Sequence, residues 1–281
     1  MMCKVLEVSR SGYYTSITRP ASNRAIKKDK IAQAAQEYYE KSHEIYGYRK
    51  VYEDLSEYRP DLNCCRETLR KIMVEHGLYS CTKKKFVVTT DSNHAKPVAE
   101  NRLNRDFTAD EPNQKWVADI TYIRTSEGWL YLAVIIDLFS RFVVGWATSD
   151  KIDSALVCEA FTNAINFRHP EGKLLHHSDQ GVQYASDDFQ NLLDLSGVEC
   201  SMSRRGNCWD NACSESFFGK LKCEAVRGEV YKTRNDARKD LFWYIEIFYN
   251  RKRRHATLGY LSPTEFEKAM KEKRMTGKKA A

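Results

Sequence analysis

No stretch of the 281-residue chain approaches the roughly 18–20 consecutive apolar residues of a membrane-spanning helix, which argues against insertion into a bilayer. The opening residues also lack the apolar centre of a secretion signal, because Met1-Met2-Cys3-Lys4-Val5 is followed closely by Glu7 and Arg10. Nine cysteines include no C-x-x-C pair, so neither a structural zinc site nor a disulfide scaffold is expected. Reduced thiols in the cytoplasm are the expectation instead. Internal repeats are missing, as is any leucine heptad long enough for a coiled coil. What is present is 42% hydrophobic residues interspersed with 30% charged ones, enough for a packed core and poor material for a disordered chain. The length suits about two domains.

The net charge of +7 is unevenly spread. Residues 1–110 hold 20 Lys/Arg against 15 Asp/Glu, residues 111–227 hold 11 against 16, and residues 228–281 hold 14 against 7. Basic flanks suit a polyanion such as nucleic acid. The acidic middle would repel that partner unless cations were recruited to it.

Residues 1–27 are polar, punctuated by Gly12 and Pro20, and read as a poorly tied arm. Helical stretches follow at 28–41, 47–57 and 64–76, forming a small all-α domain over 28–82. In the third, Leu69, Ile72, Met73 and His76 recur with helical spacing, with Asn63 as N-cap and Gly77 past the end. Its outer face carries Arg66, Glu67, Arg70 and Lys71, which fits a helix-turn-helix unit or, alternatively, a three-helix module with a solvated face. Apolar periodicity fails across 83–112, the expected linker. After Pro112, segments 116–123, 130–137 and 141–148 are rich in Val, Ile, Trp and Tyr and read as an antiparallel meander. A helix over 154–167, a strand at 173–178, a helix at 186–195 and a strand at 198–202 follow. The polar loop 203–209 then leads to a helix starting near Asp210. Strand order β-β-β-α-β-α-β-α over 113–227 predicts an α/β core built on a mixed sheet. Residues 228–281 form a basic helical C-terminal region containing Arg251, Lys252, Arg253 and Arg254.

Three carboxylates stand out. Asp119 lies inside the first strand, where a charge is costly unless something compensates it. Asp179 ends the fourth strand, at the carboxyl edge where α/β sheets place ligands. Glu215 falls on the helix after the polar loop. Carboxylate oxygens are ligands for Mg²⁺ or Mn²⁺, and two such ions sharing them form a phosphoryl-transfer site.

These residues resemble the DDE catalytic core of transposases and retroviral integrases, whose fold is ribonuclease-H-like. Asp119 and Asp179 are 60 positions apart, and 35 residues separate Asp179 from Glu215, the interval that gives the D,D(35)E pattern its name. Lys222 lies seven residues beyond Glu215, on the same helical face, where that family often carries a base. A closer resemblance is to the OrfB-type transposase of the insertion-sequence-3 family. It rests on Asp119-Ile-Thr-Tyr122, on His177-Ser-Asp-Gln-Gly-Val-Gln-Tyr184 and on Ser203-Arg-Arg-Gly-Asn-Cys-Trp-Asp-Asn-Ala-Cys-Ser-Glu-Ser-Phe-Phe218. In the tail, Tyr249, Asn250, Arg253, His255, Leu258, Ser262, Pro263 and Phe266 fit its pattern, and Tyr46-Gly-Tyr-Arg49 resembles its N-terminal helix-turn-helix. The resemblance implies a ribonuclease-H-like catalytic core preceded by a small helix-turn-helix domain. It further implies catalytic Asp119, Asp179 and Glu215 holding two Mg²⁺ or Mn²⁺ ions. Element-end and target DNA would be the substrates, an OrfA frameshift fusion the partner, and an oligomer on DNA in the nucleoid the working form. Lys222, Arg66, Arg70, Lys71, Arg251, Arg253 and Arg254 are the candidate DNA contacts.

Other residues carry two readings each. His176 and His177 either ligate metal or pack at the strand end. Asp137 either approaches the site or caps a turn. Lys222 is a phosphate contact or a solvated charge, and Trp209 packs on nucleic acid or anchors the core. The Arg251–Arg254 run either contacts phosphate or solubilises the surface. A nuclease without strand transfer, and a decayed transposase that only binds DNA, are the rival functions.

Overall fold

Side-chain capping sets the first helices of the computed structural model, which describes residues 5, 7–80, 98–204 and 208–277. The region expected as an arm is helical at α1 (Arg10–Thr18), where the Ser9 hydroxyl accepts from the Gly12 N–H, yet α1 buries no residue. Ser22 caps α2 (Asn23–Lys41) in the same way, so this helix begins five residues before position 28. It packs with α3 (Tyr48–Tyr58) and α4 (Arg66–Glu75) through Ile31, Ala35, Val51, Leu55, Leu69, Ile72 and Met73. Asn63 does not cap α4. It closes a 3₁₀ turn, Pro60–Leu62, and Cys65 takes the N-cap position. At the other end Gly77, at φ +70°, reverses the chain so that Leu78 N–H reaches the Met73 carbonyl at 2.8 Å. Leu78 is therefore buried and His76, expected on the apolar stripe, is exposed.

The chain divides into two compact units, Met1–Cys81 and Thr82–Ala281. The second is built on a five-stranded sheet: β1 (Lys115–Thr125), β2 (Gly128–Asp137), β3 (Val143–Ser149), β4 (Leu175–Ser178) and β5 (Glu199–Met202) in the order β3-β2-β1-β4-β5. Strands β1 to β3 form the expected antiparallel meander, and β4 and β5 add in parallel, giving the mixed sheet read from the sequence. α5 (Ser154–Arg168) links β3 to β4, and α6 (Asp187–Leu195), capped by Ser186, links β4 to β5. Trp116, Ala118, Ile135, Phe161, Phe189 and Leu193 lie in the core that these helices cover. Gly145 permits the close approach of α5 to β3: a Cβ there would collide with the Ala160 carbonyl and lie 2.7 Å from the Ala164 nitrogen. Residues 83–97 of the expected linker lie outside the described residues.

Beyond the sheet, α7 (Ala212–Leu221) runs into a π-helical turn at Lys222–Val226, and α8 (Arg234–Phe242) into a second at Trp243–Tyr249. α9 (Pro263–Gly277) follows. This C-terminal region is sewn into the sheet. The Asn250 amide accepts from Val143 N–H at 2.9 Å and donates to its carbonyl at 3.1 Å, satisfying the start of the edge strand β3. Asp137, fully buried at the end of β2, accepts from Asn113 N–H, Phe139 N–H and Arg168, so it caps a turn and takes no part in the acidic site. Arg168 in turn bridges to Glu267 of α9. The basic run is divided by this packing. Arg253 is 5% exposed, its guanidinium set bidentate on Glu224 at 2.7 and 2.5 Å.

Candidate active site

Sheet register brings the first two acids together. β1 and β4 pair in parallel as Lys115↔Leu175, Trp116↔His176 and Val117↔His177, a constant offset of 60. Asp119 and Asp179 differ by the same 60, so they continue this register two residues past the last pair. The spacing noted in the sequence is thus the register of two neighbouring parallel strands. One oxygen of each carboxylate is oriented by a main-chain N–H: Ile120 donates to Asp119 Oδ1 at 2.8 Å, and Gly181 to Asp179 Oδ1 at 2.9 Å. Gly181 has no side chain for cause, since a Cβ would stand 2.9 Å from Asp179 Oδ1 and 3.1 Å from Gln183 Oε1. The third acid arrives on α7, in its first turn. Asn211, the N-cap residue, donates its amide to the Ala118 carbonyl at 3.4 Å and so ties the start of α7 to β1 beside Asp119.

The electrostatics report that closeness. Burial raises the Asp119 carboxyl well above the ordinary carboxylate value, the negative charges of Asp179 and Glu215 push it further, and the Ile120 N–H and the Lys222 charge oppose them. Burial also raises Glu215 and lowers Lys222, while Asp119 favours the charged lysine. Asp119, Asp179, Glu215 and Lys222 therefore occupy one electrostatic neighbourhood. Among the described residues no group of three His, Cys, Asp or Glu is gathered closely enough to hold one metal ion. Hard oxygen donors in a zone of mutual repulsion fit Mg²⁺ nevertheless, because that ion keeps several waters and takes only one or two carboxylates from the protein.

The residues around this neighbourhood are structural. His176 is fully buried among Phe161, Tyr184 and Phe189, neither ring nitrogen has a hydrogen-bond partner, and burial lowers its pKa to about 3. His177 bonds Ser201 Oγ at 2.8 Å and the Asp210 carbonyl at 3.1 Å, with its pKa lowered to about 4 chiefly by burial. Packing, the second of the two readings, describes both histidines. Asp210 was not singled out in the sequence, yet it anchors the loop before α7. Its buried carboxylate accepts from Arg105, Arg204 and Asn101 at 2.8–2.9 Å, and hydrogen bonds from these bases hold it far below the usual range. Only its place in the motif Trp209-Asp210-Asn211 could have marked it. The side chain of Trp209 lies outside the described residues.

The expected DNA contacts divide. Arg66 is exposed and Arg70 half-buried, and both are paired, with Glu53 at 2.8 Å and Glu67 at 2.7 Å, while Lys71 is exposed on the same helix. Arg251 is exposed, and Arg254 is half-buried with its guanidinium on the Tyr260 carbonyl at 3.2 Å. Tyr122, unremarked by itself in the sequence, lies under the Lys222 ammonium at 4.6 Å.

Comparison with known proteins accounts for nearly the whole chain. Residues 27–86 match an HTH-like domain, residues 109–208 an integrase core domain, and residues 215–270 a second integrase core domain. Asp119 and Asp179 lie in the first core match and Glu215 at the start of the second. The insertion element IS600 uncharacterized 31 kDa protein of Shigella sonnei is 41% identical over 265 residues, covering 94% of this chain and 97% of its own. Transposase InsF for insertion sequence IS3A of Escherichia coli (strain K12) is 41% identical over 271 residues, covering 95% and 92%. The HTLV-2 integrase catalytic core domain in complex with magnesium shows a faint likeness, with 18% identity, 57% and 99% coverage and a TM-score of 0.45. With a helical HTH-like region ahead of a mixed-sheet integrase core, and with these relatives along its length, the chain belongs to the IS3 family of insertion-sequence transposases, of the InsF/OrfB type.

Proposed function

We propose that this transposase cleaves and transfers DNA strands at the ends of its insertion element by DDE chemistry, with Asp119, Asp179 and Glu215 as the catalytic acids. The observation that carries the reading is the register match of Asp119 and Asp179, with Glu215 adding its charge to theirs. The three acids would hold Mg²⁺ or Mn²⁺, which when bound supplies Lewis acidity to the phosphodiester and makes the attacking hydroxyl more acidic. The chain's own contribution is orientation and charge. Ile120 and Gly181 N–H groups fix the two aspartates, and Asn211 fixes the helix that bears Glu215.

No side chain serves as nucleophile in this scheme, so no covalent protein–DNA link forms. Water attacks phosphorus at the element end and the 3′-oxygen leaves as a hydroxyl. That hydroxyl then attacks a target phosphodiester, displacing the target's own 3′-oxygen and balancing one bond made with one broken. Lys222 would meet a phosphate near the reacting end. Arg66, Arg70 and Lys71 of the HTH-like domain, with Arg251 and Arg254, would supply further backbone contacts. An OrfA part, joined by frameshift fusion, and assembly of several copies on DNA complete the reading.

Asp119→Asn, Asp179→Asn and Glu215→Gln test it. Each keeps side-chain volume and removes a charge, so each should abolish Mg²⁺- or Mn²⁺-dependent cleavage while retardation of DNA persists. Near-normal cleavage by any one variant would remove that residue from the triad.

A further inference from the structure

Lys222 begins the π-helical turn that follows α7, seven residues beyond Glu215. Its Nζ stands 4.6 Å from the centroid of the Tyr122 ring. That ring is in turn braced edge-on by Trp129, with centroids 4.9 Å apart and planes at 84°. The brace follows from the β1–β2 register, in which Tyr122 faces Tyr131 and Arg124 faces Trp129, so Tyr122 and Trp129 are diagonal neighbours on one sheet face. Tyr122 is three residues from Asp119 in the same strand.

A lysine side chain has many rotamers and reaches a wide volume when unrestrained. A partly desolvated ammonium over an aromatic face is attracted by the ring quadrupole more strongly than an exposed one. The Lys222 side chain is partly buried, and the ring beneath it is held from behind. The ammonium is thereby confined within the field of Asp119, where a DNA phosphate must come to react.

We propose that Tyr122 is a positioning residue for Lys222, its ring holding the ammonium beside the acids so that it meets the DNA backbone without first being ordered. The inference rests on the transposase reading above. Tyr122 itself touches no reacting atom. The hydroxyl is dispensable to this role and the aromatic face is not.

Two measurements decide it. In the DNA-free protein, lysines are reductively methylated with ¹³C-formaldehyde, and the Lys222 resonance is assigned by its absence in Lys222→Arg. It should show an aromatic ring-current shift in the parent and in Tyr122→Phe, and none in Tyr122→Leu. If the leucine variant loses cooperative unfolding, Tyr122→Val, β-branched and suited to a strand, takes its place. An unshifted Lys222 resonance in the parent overturns the proposal, whatever the protein does with DNA.

Cleavage and binding of element-end DNA are then measured across a salt series. Lys222→Ala and Tyr122→Leu should each slow cleavage about tenfold, and each should make the log Kd against log salt slope shallower by about one contact. The double variant should be no worse than Lys222→Ala, and Tyr122→Phe should rescue. Losses that multiply in the double variant, or a Tyr122→Leu protein that behaves as the parent, overturn the proposal. Failure of the parent to cleave even when joined to the OrfA part contradicts the transposase reading instead, and the resonance measurement still settles whether Tyr122 holds Lys222.

Discussion

Asp119 and His176 lie on adjacent strands, and burial acts on them in opposite directions. Asp119 resists ionisation in the folded protein, so the folded state binds protons more tightly than the unfolded one, and metal-free stability falls as pH rises above about 3.8 through the raised value. Asp119→Asn should therefore raise the melting temperature of the metal-free protein by several degrees at neutral pH, on the order of 2–4 °C per kcal/mol. It should also reduce the increment that Mg²⁺ gives the parent. Scanning calorimetry with and without Mg²⁺ checks both, and a metal-free variant less stable than the parent would contradict the electrostatic picture. His176 resists protonation, with a pKa lowered from 6.5 to about 3, so its contribution is present above about pH 6.5 and is lost as pH falls toward 3. His176→Phe, a ring in a pocket of rings, should flatten that acid limb in denaturant titrations from pH 7 to 4. An unchanged limb would place the acid sensitivity elsewhere. At this scale the placement of Asp119 and Asp179 on neighbouring strands was legible because their spacing is also a register. Four consecutive basic residues do not reveal which one turns inward, and the burial of Arg253 was not legible. Asp210 was missed because its partners Asn101 and Arg105 are more than a hundred residues away in sequence.

Glu224, in the first π-helical turn of the C-terminal region, pairs with Arg253, four residues past the end of the second. Tyr244 in the second turn donates its hydroxyl to Glu224 in the first at 2.7 Å, and the Arg253 guanidinium lies 5.9 Å from the Tyr249 ring centroid. Both partners of the pair are over nine-tenths buried, so removing one leaves an uncompensated charge. Arg253→Leu should cost about 3–5 kcal/mol of unfolding free energy, whereas Glu224→Met/Arg253→Leu should recover most of that loss. Urea unfolding of the single and double variants checks it, and a double variant as weak as the single would mean that hydrogen bonding to Tyr244 dominates. Elements of regular period were legible: the meander, α5, α6 and α4 lie within a few residues of where alternation and helical spacing put them. The ends moved where a cap or turn residue decided them, as Ser22 did for α2 and Pro60 for α4. α1 was read as an arm because it buries nothing, so its sequence carries no apolar stripe. The docking of the C-terminal region on the sheet was illegible, since it depends on single polar side chains such as Asn250 meeting a strand 107 residues away.

Along the chain, basic segments flank an acidic middle, a charge distribution that suits a DNA partner with cations recruited to the acidic residues. Such binding should be strongly salt-dependent and weakly selective. We expect the chain alone to retard element-end DNA only slightly more than random DNA of equal length, and addition of the OrfA part to open a wide gap in a competition assay at one salt concentration. Strong preference by the isolated chain would assign the sequence reading to its own HTH-like domain. The most direct test of the central claim follows the strands themselves. The protein, joined to the proposed OrfA part, is incubated with Mg²⁺, DNA carrying the element's ends and a target plasmid, and the products are mapped at nucleotide resolution. Element 3′-ends joined covalently to target DNA, absent with Asp119→Asn, Asp179→Asn or Glu215→Gln, are the result this account predicts. Cleaved ends that are never joined, or joining that survives loss of one of these acids, would contradict it.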